Sequence, residues 1–183
     1  MAMYTKQIQS LYVAYFGRPA DVDGLAYWEK VLTTQNGDTA YITEMFSGTA
    51  EYQAQYGRKT YGQVVWSVYK NLFNHEPDLP GLNYWTQGLE NGNFTIGNAV
   101  ATIAAGALTT DRDLFQFRVL GATAFTDSLD TPAERIGYSG DYANAKAKQF
   151  IAQIVDADTL EAAIGSLDRV YLVGTPAEIN GWM

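Results

Sequence analysis

Apolar residues along the first hundred positions fall at the spacing of helix faces. Ile8, Leu11, Tyr12, Tyr15 and Phe16 stand at i, i+3, i+4, i+7 and i+8, one side of an α-helix. Val65, Val68, Tyr69, Leu72 and Phe73 repeat that spacing. The next residue is Gly17 in one case and Asn74 in the other. These two residue types best tolerate the left-handed backbone that closes a helix, so both helices are expected to end there. A second helix opens on Asp21 or Asp78, whose carboxylate is placed to accept hydrogen bonds from the free N–H groups of the first turn. Pro80 in that turn costs little, because its missing N–H has no partner in the helix. The inner faces carry Leu25, Trp28, Val31 and Leu32 in the first case and Leu82, Trp85 and Leu89 in the second. A third helix is expected after each, with Ile42, Met45, Phe46 and Thr49 or Ile96, Val100, Ile103 and Ala104 inward.

The two stretches align at an offset of 57 residues. Tyr4, Ser10, Tyr12, Phe16, Asp21, Gly24, Leu25, Tyr27, Trp28 and Leu32 fall on identical residues, ten of 29 positions. About two are expected by chance, so a repeated helix–loop–helix unit is expected. Beyond residue 109 the pattern stays helical but changes. Positions 111–127 are apolar on nearly all sides, which predicts a central, well-covered helix. Positions 131–140, with Pro132 and Tyr138-Ser139-Gly140, read as a loop. Ala147, Phe150, Ile151 and Ile154 mark one more helix, and Leu160, Ala163, Ile164 and Leu167 a last one. The expectation is an all-α fold of eight to ten helices. It comprises a first repeat over 1–57, a second over 58–108, a helical part over 109–174 packed on both, and a tail or linker over 175–183.

Composition narrows the chemistry. The 183 residues include no cysteine and one histidine, which excludes disulfides, zinc ribbons, thiol nucleophiles and multi-histidine metal sites. The net charge of −8, with no stripe of lysine and arginine along the sequence, argues against nucleic acid as a partner. No run of 18 apolar residues occurs, so direct membrane insertion is not expected. The first residues carry no basic cluster followed by an apolar stretch, so no N-terminal secretion signal is expected either. Phosphate loops, nucleophile elbows and zinc-protease motifs do not occur.

Three segments carry a family likeness: Leu11-Tyr12, then Phe16-Gly17-Arg18-Pro19-Ala20-Asp21 with Gly24-Leu25-Ala26-Tyr27-Trp28, then Phe46-Ser47 with Ala50-Glu51-Tyr52. Together they resemble DUF4214, a bacterial domain of unknown function. The second stretch keeps Tyr69, Phe73, Asp78, Gly81, Leu82, Tyr84 and Trp85 but has Asn74-His75 in place of Gly17-Arg18, and so resembles a degenerate copy. The resemblance implies part of a surface-layer, adhesin-like or calcium-repeat protein of Gram-negative bacteria or cyanobacteria. It also implies an extracellular, cell-surface location, reached by export that reads a C-terminal signal.

Five residues are candidates for function. Tyr27 and Tyr84 stand a step off the inner face, where an aromatic ring with a polar handle suits a sugar. Arg18 either holds the helix end or binds an anionic sugar. Asp21 and Asp23 either cap the second helix or contribute oxygens to Ca²⁺. Asp156 and Asp158 pose the same choice, and His75 reads as a loop residue. The function expected is a non-enzymatic surface module that binds outer-membrane polysaccharide or lipopolysaccharide with calcium support and self-associates in a lattice. The alternatives are a helical assembly linker resembling phycobilisome linker domains, and a carboxylate-based glycan hydrolase.

Overall fold

A computed structural model describes residues 3–167. These residues form eleven helices and no strand, which is the all-α fold expected. In order they are α1 (Thr5–Phe16), α2 (Val22–Thr34), α3 (Ala40–Ser47), α4 (Ala50–Tyr56), α5 (Tyr61–Phe73) and α6 (Leu79–Glu90). Then follow α7 (Ile96–Ala105), α8 (Thr109–Ser128), α9 (Pro132–Gly137), α10 (Gly140–Ala152) and α11 (Ala157–Gly165).

The count exceeds eight to ten for two local reasons. The third helix of the first stretch is two helices, because Thr49 is extended (φ −73°, ψ 149°) and its hydroxyl accepts from the Tyr52 N–H, starting α4 anew. Positions 131–140 are not a loop but hold α9. Thr131 and Glu134 form a reciprocal capping box there, and Pro132 stands in the first turn. The tail expected over 175–183 lies outside the described residues.

Nine of the twelve residues of α1 are buried. The helix packs against α2, α4, α5, α7 and α8. One side carries Ile8, Tyr12, Tyr15 and Phe16 into a core shared with Trp28, Phe46, Tyr52, Tyr56, Val68 and Leu72. The other places Val13 in a second core with Ala122, Phe125, Phe150, Ile151 and Ile154. Each such fully buried side chain contributes about 1.5–3 kcal/mol. α8 runs between the two halves, touching α1, α5, α10 and α11. Its expected full covering is only partial: Val119, Ala122 and Phe125 are buried, while Leu114, Phe115 and Phe117 are half-buried and Leu120 is 54% exposed.

The stretches related by 57 residues make the same local interactions. Gly17 and Asn74 both take the left-handed conformation, at φ 67° and 58°. Asp21 accepts from the Gly24 N–H at 2.7 Å, and Asp78 from the Gly81 N–H at 2.8 Å. The Trp28 indole donates to the Tyr12 hydroxyl at 3.2 Å, and Trp85 and Tyr69 pack against the same buried clusters. This accounts for the glycine three residues after the aspartate: a Cβ on Gly24 would lie 2.7 Å from the Tyr12 hydroxyl and 2.9 Å from Asp21 Oδ2.

Gly24→Ala is therefore expected to cost about 1–3 kcal/mol, the range for overpacking. Gly165→Ala, with nothing within 4 Å of the added methyl, leaves stability unchanged or raises it by up to about 1 kcal/mol. Urea denaturation of the two variants checks both.

Candidate functional site

Arg18 is only 8% exposed and fully engaged. Its Nε and Nη2 donate to the Glu51 carboxylate at 3.0 and 2.7 Å, and its Nη1 donates to the Pro19 carbonyl at 2.9 Å. The guanidinium also lies 5.2 Å from the centre of the Tyr12 ring. Lys148 Nζ reaches Glu51 Oε1, the oxygen that also accepts from Arg18 Nε, at 3.3 Å. Burial pushes the Glu51 carboxyl up, but the Arg18 hydrogen bonds and charge, with Lys148, outweigh it and hold the group below the usual range. Burial also opposes the Arg18 charge, and Glu51 outweighs that too, so the guanidinium stays firmly protonated. Arg18 thus clasps the α1–α2 loop to α4 and α10, and the structure leaves it no open face for a ligand.

At the 57-residue offset Arg18 corresponds to His75, which makes a weaker clasp of the same sign. Its Nε2 lies 3.1 Å from Asp111 Oδ1 on α8, and its Nδ1 lies 2.7 Å from the Glu76 carbonyl. The Glu76 carbonyl raises the imidazole pKa, partial burial lowers it, and Asp111 raises it again, so the net shift is upward. The loop residue expected at position 75 is in a loop, but it is paired.

Tyr27 and Tyr84 are 52% and 61% exposed, each with its ring edge-to-face on the following tryptophan. They stand on α2 and α6. Trp28 is buried, and Trp85 is half-buried against two cores. Asp21 and Asp156 serve as helix caps. Asp21 and Asp23 share a small cleft of about 290 Å³ with Arg18 and Arg135, whose charges repel a cation. No group of three or more histidine, cysteine, aspartate or glutamate side chains suited to a metal occurs among the described residues.

A larger opening lies elsewhere. A groove of about 850 Å³ runs between the end of α1, α4, α5 and α10, within the range of ligand sites. Gln55, Trp66, Lys70, Asn71, Asn144 and Lys148 line it. A second recess of about 470 Å³ shares Lys59, Trp66 and Ser67 with the first, so Trp66 stands between two hollows. Trp66 is 41% exposed. Lys70 Nζ lies 5.6 Å from the centre of its ring.

The groove marks where the two related stretches part. Trp66, Lys70, Asn71 and Asn74 correspond to Gln9, Val13, Ala14 and Gly17. Gln9 and Val13 are wholly buried: Gln9 donates to Thr126 of α8 at 2.8 Å, and Val13 packs in the second core. On α5 the same face turns outward, and a tryptophan and a lysine occupy it. The 57-residue alignment carried this signal, since its departures at 66, 70 and 74 fall one helical turn apart. Identities alone did not reveal it.

Residues 43–107 match the model of a domain of unknown function, DUF4214. The match runs from α3 through α7 and so includes two walls of the groove, α4 and α5; positions 11–28 lie outside it. No curated protein and no solved structure matches the chain. No described helix is long and apolar enough to cross a membrane.

The two clasps give opposite pH limbs. Glu51 has a depressed pKa in the folded state, so its stabilisation is present above its unfolded value and lost as pH falls through the folded one. His75 has a raised pKa, so its smaller contribution is full below its unfolded value of about 6.5 and lost as pH rises through the folded one. Glu51→Gln is expected to cost about 3 kcal/mol at neutral pH and to flatten the acid limb. His75→Gln should flatten only the limb above about pH 6.5. Unfolding temperatures measured from pH 3 to 9 separate the two.

Proposed function

We propose that the chain is a non-enzymatic cell-surface module that binds outer-membrane polysaccharide in the α4–α5–α10 groove. On this reading α1–α2 and α5–α6 are two copies of one unit: the first organises the core and the second presents the ligand face. The observation that carries the reading is the exposed Trp66 between two hollows, in a groove that Gln55, Asn71 and Asn144 also line. A flat aromatic face covers the apolar side of a sugar ring, and amides supply both donors and acceptors for its hydroxyls. A recess on either side suits a chain of sugars rather than a single one.

The wider setting belongs to the same proposal. The module is exported, displayed on the cell surface and held there beside other copies of itself. Calcium supports attachment as a counter-ion that screens the −8 charge against an anionic surface.

Hydrolysis is less well supported. Glu51 and Asp141 both line the groove. A general acid needs a raised pKa, however, and Arg18 and Lys148 hold Glu51 down. The assembly-linker reading draws on a different surface, the exposed Ile136 and Tyr142 of α9 and α10, at 72% and 70%.

The test is binding of the chain to cells stripped of their surface layer, with and without their polysaccharide. Wild type is expected to bind only the polysaccharide-bearing cells. Trp66→Ala should lose at least tenfold in affinity, about 1.4 kcal/mol, with an unchanged unfolding temperature. Tyr27→Ala should bind as wild type. Equal binding to both cell types, or full binding by Trp66→Ala, would overturn the proposal.

A further inference from the structure

The groove carries positive charge in a negatively charged chain. Of twelve lysines and arginines, Lys59, Lys70, Arg118 and Lys148 line it; of twenty aspartates and glutamates, only Glu51 and Asp141 do. Glu51 is already shared between Arg18 and Lys148. The other three cations have no carboxylate partner among the described residues. Lys59 Nζ donates to the Ser67 hydroxyl at 2.6 Å, and Lys70 Nζ to the Asn74 carbonyl at 3.2 Å.

Arg118, on α8, is 1% exposed and lies at the base of the groove. Its Nη1 donates to the carbonyls of Asn71 and Lys70 at 2.6 and 3.2 Å, and its Nε to that of Ile154 at 3.1 Å. Capping the last turn of α5 accounts for Nη1, and holding the chain after α10 accounts for Nε. Neither accounts for Nη2, which has no hydrogen-bond partner among the described residues, nor for two lysines without a carboxylate partner lining the same groove. Burial without a carboxylate pulls the guanidinium down to about 10, as expected of a buried charge lacking its counter-charge.

We propose that the groove recognises an acidic sugar, a uronic-acid unit whose carboxylate is held by Lys70, Lys59 and Arg118 while its ring lies against Trp66. This deepens the polysaccharide reading and rests on it. Four cations against two carboxylates leave the lining net positive, which suits an anionic ligand, and the planar guanidinium matches a carboxylate. The −8 chain then meets an anionic polymer through a locally positive contact, with calcium acting only on the repulsion around it.

Calorimetry of the whole chain with four probes tests this: an oligogalacturonate, a neutral gluco-oligosaccharide of equal length, free galacturonate, and inorganic phosphate. The acidic oligomer is expected to bind at least tenfold more tightly than the neutral one and to weaken in 0.5 M NaCl. Lys70→Gln should reduce that binding at least tenfold without changing the unfolding temperature or the neutral oligomer's affinity. Because Arg118→Ala risks unfolding the chain, Lys59→Gln serves as the second variant, with the same expected direction. Equal affinity for acidic and neutral oligomers would overturn the acidic-sugar inference and leave the polysaccharide reading standing. Binding of galacturonate but of neither oligomer would overturn the polysaccharide reading, and this inference with it. Displacement of the acidic oligomer by phosphate at equal concentration would reduce the site to a general anion site and overturn the sugar assignment. No binding by any probe would overturn both.

Discussion

The helix Thr5–Phe16 has apolar side chains on nearly every side, and the rest of the fold is arranged to cover it. Such a helix is stable only when water is excluded all round, which fixes five neighbours at once. Its one buried amide is satisfied within the core. Gln9 donates to the Thr126 hydroxyl and accepts from the Ala20 N–H at 3.0 Å, while Thr126 donates back to the Ala20 carbonyl at 2.6 Å. That closed set ties α1, the following loop and α8 into one register, and a partner lost from it leaves an unpaired buried group costing about 1–3 kcal/mol. The clasp of Arg18 on Glu51 fastens the same loop to α4.

Helix α5 has the same inward spacing and a different outer face. Where α1 presents Gln9 and Val13 to α8, α5 presents Trp66 and Lys70 to a groove walled by α4 and α10. The difference between a covered and an uncovered face lies in two side chains a helical turn apart. It makes one stretch structural and leaves the other free to meet a ligand. The match to DUF4214 includes α5 and omits α1 and α2, so the open face lies within the part of the chain that carries the family pattern.

Much of the fold was legible because its signals are local. Helix faces, the left-handed ends at Gly17 and Asn74, the aspartate caps and the burial of Trp28 each depend on residues within a few positions of one another. α9 was legible too, through Thr131, Pro132 and Glu134, but the glycine and serine after it outweighed that start signal. The break before Thr49 was hidden because apolar spacing continues across it. The candidate site was hidden for a different reason. The partner of Arg18 lies 33 residues away, and the groove gathers residues from positions 16 to 152 on helices whose order along the chain says nothing of their adjacency. Tyr27 and Tyr84 drew attention as exposed aromatics. They are exposed, but on α2 and α6, and neither lines the groove.

The central claim is that the functional surface is the open face of α5. Amide and indole N–H chemical shifts of the labelled chain, followed by NMR as surface polysaccharide is added, test it most directly. The account predicts shifts confined to α4, α5 and α10, with the Trp66 indole moving and those of Trp28 and Trp85 still. Shifts gathered around Tyr27 and Tyr84 on α2 and α6, with Trp66 unmoved, would contradict it.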